Sequence, residues 1–497
     1  MKHKKFIKER WFGIGVFFVL VLAIFLRFYN YENRWALWVD QASFALLSRY
    51  ALEAHKLPLL GPFSSAGPFQ TGGEWYWFIM AATAIYPNAA ITPWVILTVL
   101  FVFFVLLIIF VGKELVGRKF GLLVGVLATV STAQVIQSSD LTNQSPLAFI
   151  ALCAIWAMIR YVRTNKPIYS FLLSLFVGLA SSIHLQGVAL IIMVPITIIF
   201  TRIALLKRVI LSLFGLFLPW IPILIVDSNN HFLNTSNMFR YYFHDQYLIS
   251  LDVLGRRWLT FLDNFLPNVW SYIIGGNFIF GCVLIVLSGI VISYSLFKNK
   301  LSREWNILAI SFLSMLVLVR YTRTPLFDSF IIFTHPFILL FTAFGIFLCI
   351  KKNVIFGLSF LTLILIASLN KDIKHIVNAV NPMATRAQTN REILIRRYPN
   401  EKFSIYDHKF KTPYISQSLS LYLDEKNKID DKGKRLGISI ATFSAKLKLP
   451  IIYEKKGEYY ILDISSLSEA QLFYYGWESA NPSALYRNVQ EWYKYKK

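Results

Sequence analysis

The chain has little charge. Asp, Glu, Lys and Arg make up 15% of its 497 residues, where soluble domains carry roughly a quarter. A larger core does not explain the deficit, because single cores stop growing near ~250–300 residues. In its place stand 56% hydrophobic and 16% aromatic residues and a mean hydropathy of +0.53. Runs such as Trp11–Leu26, Val95–Val111 and Ile210–Val226 are nearly free of charge. Each approaches the ~17–25 residues that cross a hydrocarbon layer. These runs exclude a soluble fold and place the chain in a bilayer.

Other absences narrow the class further. There are three cysteines, Cys153, Cys282 and Cys349, all within apolar segments, where they act as small core residues and not as a disulfide framework. The start Met-Lys-His-Lys-Lys before an apolar run resembles a signal peptide. No small-residue cleavage site follows, so this is an uncleaved first helix. The sequence has no P-loop, Rossmann fingerprint, Cys/His metal spacing or Gly-x-Ser-x-Gly elbow, which argues against a nucleotide-driven pump. Few charges sit within the apolar runs and no internal repeat is visible, which argues against an ion-coupled transporter or a flippase.

What charge there is has the wrong distribution for a nucleic-acid partner. The net charge is +23, but much of the excess lies in short stretches between apolar runs: Lys2–Arg10, Lys113–Lys119, Arg160–Lys166, Arg202–Arg208, Lys298–Arg303 and Lys351–Lys352. Placing all of them in the cytoplasm, as the positive-inside rule directs, gives spans near 11–28, 94–112, 120–137, 146–163, 168–184, 186–201, 209–227, 277–297, 305–319, 330–349 and 353–369, about eleven in all. The N-terminus is then cytoplasmic and the C-terminus extracytoplasmic, in the plasma membrane. This predicts an all-α polytopic domain over residues 1–369, followed by a small soluble α/β domain over 370–497. In that tail Phe403–Tyr406, Gly437–Thr442, Ile451–Glu454 and Tyr459–Ile464 read as strands, with Lys456-Gly457 as a turn. Thr385–Arg397, Pro413–Asp424 and Ala484–Tyr495 read as helices.

Two external loops follow from this register. Residues 29–93 hold a helix over Gln41–His55 and an apolar stretch over Glu74–Tyr86 that is too short to span. Both suit the interface, with Trp35, Trp38, Trp75, Tyr76 and Trp77 as anchors. The second loop, Asp227–Asn277, carries an amphipathic stretch around Arg240–Leu262.

The candidate site residues lie on the external side. Asp40 precedes the first external helix, where it reads equally as an N-cap and as a general base or metal ligand. Asp140 lies in Gln137–Pro146. There Ser145 and Pro146 already supply a cap and a first-turn proline, which leaves the carboxylate either solvated or functional. Glu74 follows Gly72-Gly73. Its acid suits a helix N-terminus, and the glycines allow close approach of a ligand. His184 and Gln186 occupy a short external turn, as packing residues or as ligands. Arg320 and Arg323 flank Tyr321-Thr322 ahead of Asp328. External arginines run against the positive-inside tendency. They serve either as headgroup anchors or as a phosphate-binding pair. His335-Pro336 marks a kink within the tenth span.

The order of these motifs resembles the membrane glycosyltransferases of the GT-C fold, in particular the family 39-like branch with protein O-mannosyltransferases and aminoarabinose transferases. The resemblance covers about residues 10–350. Asp40-Gln41-Ala42-Ser43-Phe44-Ala45-Leu46-Leu47-Ser48-Arg49 matches the acidic motif and juxtamembrane helix of the first external loop. Leu57-Pro58-Leu59-Leu60-Gly61-Pro62 and Gly72-Gly73-Glu74-Trp75-Tyr76-Trp77 are similar to the Pro/Gly-rich segment and aromatic stretch that follow. Asp140 corresponds to the second acidic position. The chain departs from the family in having Asp40-Gln41 where many relatives have an acidic pair, and Thr71-Gly72-Gly73 where they have His-Pro-Pro or Lys-Pro.

The resemblance implies transfer of a sugar from a polyprenyl-phosphate donor to a protein, lipid or glycan acceptor on the outer face. Asp40 would be the base, Asp140 an orienting or metal-binding group, and Arg320 or Arg323 the countercharge to the leaving phosphate. Glu74, His184 and Gln186 would line the substrate site, and a divalent metal held by Asp40 and Asp140 is the cofactor to look for. A polysaccharide polymerase or ligase that uses lipid-diphosphate donors is the near alternative. A lipid-linked-sugar transporter or a non-catalytic subunit are the more distant ones.

Overall fold

A computed structural model describes residues 2–64, 67–201, 205–245, 258–298, 301–320, 328–409, 411–443 and 447–493. Helix α1 (Lys2–Phe28) leads to α2 (Val39–Glu53), a two-stranded hairpin β1 (Leu60–Phe63) and β2 (Gln70–Gly72), and α3 (Glu74–Ile85). The helical body continues with α4 (Thr92–Leu115), α5 (Arg118–Thr129), α6 (Thr132–Gln137), α7 (Leu147–Thr164), α8 (Pro167–Ile183), α9 (Met193–Thr201), α10 (Leu205–Phe217), α11 (Ile221–Ser228) and α12 (Leu233–Arg240). It closes with α13 (Leu266–Ile274), α14 (Phe278–Lys298), α15 (Arg303–Arg320), α16 (His335–Lys352) and α17 (Val354–Val377).

Among the described residues, seven helical segments are long and apolar enough to cross a membrane, and α8 and the segment Leu185–Thr201 are shorter apolar ones. The chain is an integral membrane protein. Length and composition alone do not reach the expected count of about eleven, because several expected spans are interrupted. The stretch 120–137 is not continuous: α5 ends at Thr129 and α6 restarts behind Ser131, whose extended backbone and side-chain oxygen cap the new helix through Gln134 N. The stretch 186–201 opens as a 3-10 helix, Leu185–Ile192, before α9. Pro219 and Pro222 lie where 209–227 divides into α10 and α11, since each removes a backbone donor. His335-Pro336 does not kink a continuous span. It begins α16 after a 3-10 segment, Asp328–Thr334, the first-turn position that proline tolerates best.

Among the described residues, Lys113, Arg160, Arg163 and Arg208 of the basic stretches gather at one end of the bundle. Arg160 pairs with Glu114 at 3.4 Å and Arg163 with Glu304 at 2.7 Å. Arg208 donates to the Asn165 carbonyl at 3.2 Å, and Lys113 sits over the Phe12 ring. Between the ends, α4 and α5 pack closely, with Gly121 set against the Ile109 carbonyl, as small residues permit in membranes. Trp305, Phe120, Phe341 and Phe344 form a buried aromatic cluster between α5, α15 and α16.

After α17 the chain leaves the apolar body. Helix α18 (Pro382–Arg397) and β3 (Phe403–His408) lead to α19 (Pro413–Asp424), β4 (Lys434–Ser439), β5 (Ile451–Lys455), β6 (Tyr459–Asp463), α20 (Glu469–Tyr475), β7 (Trp477–Ser479) and α21 (Pro482–Gln490). The sheet order is β5-β6-β4-β3-β7, with β3 and β4 parallel and the other pairs antiparallel. Its apolar core includes Leu394, Phe403, Ile405, Leu419, Leu436 and Ile461. The expected strands are present, with the second earlier than 437–442. The expected last helix ends at Gln490, and β7 and α20 were not foreseen.

Candidate active site

The site forms at the end of the bundle opposite the basic stretches. Trp94, near the start of α4, donates its indole N–H to the Ala36 carbonyl at 2.8 Å. Lys113, near the other end of α4, belongs to the basic face. Nineteen residues of helix at ~1.5 Å each separate them by roughly 28 Å, about one hydrocarbon thickness.

Two acidic segments meet there. Ala36 N donates to Ser139 O at 2.8 Å, and an isolated bridge joins Ala36 to Asp140. Ser139 Oγ donates to Arg34 O at 3.2 Å, and Thr98 Oγ1 donates to Ser138 O at 2.6 Å. This stitching sets the start of α2 beside the 137–146 loop.

Asp40 is not the N-cap of α2. Trp38 holds that position, and its backbone N–H donates to Gln41 Oε1 at 3.1 Å. Asp40 lies in the first turn, exposed, and its carboxylate has no hydrogen-bond partner among the described residues. The surrounding protein still displaces enough water to raise its pKa. A carboxylate with no structural bond and an open face is suited to meeting a substrate proton.

Asp140 does have a partner: Gln41 Nε2 donates to its Oδ1 at 2.6 Å. Burial raises its carboxyl to about 6 against that hydrogen bond, with a smaller upward push from Asp40. Ser145 is not the expected cap of α7; its hydroxyl turns back to the Asp140 carbonyl at 2.6 Å, and Pro146 precedes the helix.

The remaining candidates gather on the neighbouring turn. Ser182, in the last turn of α8, donates to both Glu74 carboxylate oxygens at 3.0 Å. A Cβ at Gly72 would collide with both groups, so the pair can keep this geometry only beside a glycine. Burial lifts Glu74 to about 7, opposed by hydrogen bonds. His184 Nδ1 accepts from Gln186 N at 3.2 Å, Gln186 Nε2 donates to Gln144 Oε1 at 3.2 Å, and Asn143 Nδ2 donates to Ile183 O at 3.0 Å. The 137–146 loop is therefore bonded on one side to α2 and on the other to the 183–186 turn. Tyr76, two residues beyond Glu74, has its hydroxyl pKa raised by burial and, to a smaller degree, by the charge of Asp40.

Arg320 ends α15, buried, with its guanidinium over Trp258 at 5.7 Å and Phe261 at 5.9 Å. Helix α15 packs along Leu185–Ile192, the segment carrying Gln186. Arg323 lies outside the described residues, as does the middle of the amphipathic stretch expected over Arg240–Leu262. His335 Nδ1 bonds Gln134 Nε2 at 2.6 Å and joins α16 to α6.

Sequence reasoning missed Gln41, Ser182, Asn143 and Gln144. Gln41 adjoins Asp40 and Ser182 adjoins the His184 turn, so proximity along the chain was the available signal.

No protein-family model matches the chain, and no curated protein matches it in sequence. Solved structures do match in fold. The structure of ArnT from Cupriavidus metallidurans in the apo state superposes with a TM-score of 0.63 at 10% identity, over 93% of this chain and 99% of that one. The same protein bound to undecaprenyl phosphate gives 0.57 at 11% identity, over 92% and 99%. The oligosaccharyltransferase of Archaeoglobus fulgidus, in a complex with Zn and sulfate, gives 0.52 at 13% identity, over 82% of this chain and 61% of that one. The chain has the GT-C fold that the motifs around Asp40 and Asp140 resemble.

Proposed function

We propose that the protein is a glycosyltransferase that moves a sugar from a polyprenyl-phosphate donor to an acceptor at the extracytoplasmic face of the membrane. The observation that carries this reading is the meeting of Asp40, unbonded and open, with Asp140, fixed by Gln41, one membrane thickness from the basic face. Similarity in fold to ArnT bound to undecaprenyl phosphate supports the donor class. The basic face would lie in the cytoplasm, which puts the site and the strands and helices that follow α17 outside.

In this reading an acceptor hydroxyl attacks the anomeric carbon while Asp40 takes its proton. The bond between that carbon and the phosphate oxygen breaks, and its electron pair leaves with the lipid phosphate. Arg320 supplies countercharge to that phosphate, with Arg323 as the second candidate. Asp140 orients the acceptor, and Glu74, His184 and Gln186 shape the pocket behind it.

The donor class is tested by offering purified protein a panel of sugar-labelled polyprenyl monophosphates and diphosphates. Transfer from monophosphates supports the proposal. Transfer confined to diphosphates would make the chain a polymerase or ligase instead.

A further inference from the structure

Residue 41 decides what Asp140 can bind. The Gln41 side chain is buried, and its Oε1 accepts the Trp38 amide. That bond settles the orientation of the amide, since only an oxygen can accept from a backbone N–H. The atom at 2.6 Å from Asp140 Oδ1 is therefore the amide nitrogen, a donor.

A divalent cation shared by two carboxylates needs oxygen, nitrogen or sulfur lone pairs at roughly 2.0–2.6 Å. The Gln41 NH2 group has no such lone pair, and its hydrogens lie against Asp140 Oδ1, one of the two oxygens that a cation could take. Among the described residues no group of three His, Cys, Asp or Glu side chains lies close enough to hold a metal ion. The residues present do not fit the divalent metal that the resemblance implied. A glutamate at position 41 would keep the bond to Trp38 N, but it would set a second carboxylate against Asp140. Such a pair needs a proton or a cation between its members.

We propose that Gln41 stands in the place of a divalent cation: its amide holds Asp140 beside Asp40, and the pair serves sugar transfer without a bound metal. The inference rests on the glycosyltransferase reading. Gln41 is a positioning residue that acts through Asp140 and touches no reacting atom.

The test has one arm that needs no activity. Mn2+ binding to the purified full chain is followed by electron paramagnetic resonance for the wild type, Asp140→Asn, Gln41→Glu, and Gln41→Glu with Asp140→Asn. The expected result is that the wild type binds no Mn2+ that Asp140→Asn removes, whereas Gln41→Glu gains a site that the double variant lacks. In the second arm, wild-type transfer is unchanged by a chelator. Transfer by Gln41→Glu falls at least about tenfold in chelator and returns with metal, a change of the size that neighbours of metal ligands produce. An Mn2+ site in the wild type that Asp140→Asn abolishes would overturn the proposal, as would wild-type transfer that chelator stops and metal restores. If the wild type transfers from no donor, the functional reading fails, and the Mn2+ comparison still decides whether Gln41 excludes a cation.

Discussion

Asp40, Asp140 and Glu74 all have raised pKa values, and each has a consequence. If Asp40 is the base, kcat/KM falls as pH drops through its pKa, above the ordinary ~3.9 of an aspartate. Asp140→Asn would keep this acid limb while lowering the rate by about tenfold to a hundredfold, because a positioning group is lost and the base is kept. A pH–rate profile of both proteins checks this. Glu74 makes a prediction about stability. Its folded value is about 7, against roughly 4.3 unfolded. Below about pH 4 both states are protonated. As pH rises from there to about 7 the unfolded chain ionises first, so stability declines across that window. Glu74→Gln lacks this loss. Its melting temperature should match the wild type near pH 4 and exceed it at pH 8, by the equivalent of about 1–3 kcal/mol; equal values at both pH values would contradict the buried carboxyl. Asp40, Asp140 and Glu74 were legible in the sequence because acidic residues stand out in a chain this apolar. Their partners were not: Gln41 reaches across 99 positions to Asp140 and Ser182 across 108 to Glu74, and nothing local to a glutamine or serine shows what lies opposite it.

Among the elements, α2 and the β1–β2 hairpin position the site. The Gln41 side chain starts α2 and at the same time holds Asp140, so the helix start and the acidic pair are one structure. The hairpin ends at Gly72, next to Glu74. Gly72→Ala should push the Glu74 carboxylate off Ser182 at a cost of about 1–3 kcal/mol, the usual penalty for overfilling a packed site. Combined with Ser182→Ala, which removes one of the two colliding groups, part of that loss in thermal stability should return. Elements with a strong local signal were legible: α2, α3, α7, α8 and α19 lie within a few residues of where apolar runs and caps put them. Interruptions were not, because a hydropathy window averages over Val130-Ser131 and over the 3-10 turns at Leu185–Ile192 and Asp328–Thr334. The hairpin also escaped, since Leu60-Gly61-Pro62-Phe63 has the glycine and proline of a turn and its pairing comes from neighbours.

At the scale of the whole molecule, the C-terminal unit rests on the helix that carries Asp40. Arg49 of α2 pairs with Asp424 at 2.7 Å, and Ser43 donates to Gln417 at 2.6 Å. Gln490 Oε1 accepts from Leu59 N and Leu60 N at 3.0 Å each, which ties α21 to the hairpin. Asp424→Ala would take the ion pair from a buried guanidinium, leaving it, among the described residues, its hydrogen bond to the Pro87 carbonyl and the more distant charge of Glu53. This should cost about 3 kcal/mol and slow transfer by loosening α2, measured as a lower melting temperature together with a lower kcat. The composition shift after Asn370 pointed to strands and helices beyond the apolar runs, although α17 continues to Val377; the docking of this part on α2 depends on side chains more than 370 positions apart and was invisible in the sequence. The central claim is that Asp40 is the base of a sugar transfer at the outer face. It is tested most directly by single-turnover transfer from a labelled polyprenyl-phosphate sugar, comparing wild type with Asp40→Asn of equal thermal stability. The account predicts a fall of about 10²–10⁴-fold in the transfer rate, the usual contribution of a general base, with donor binding unchanged. A variant that transfers at the wild-type rate would contradict it.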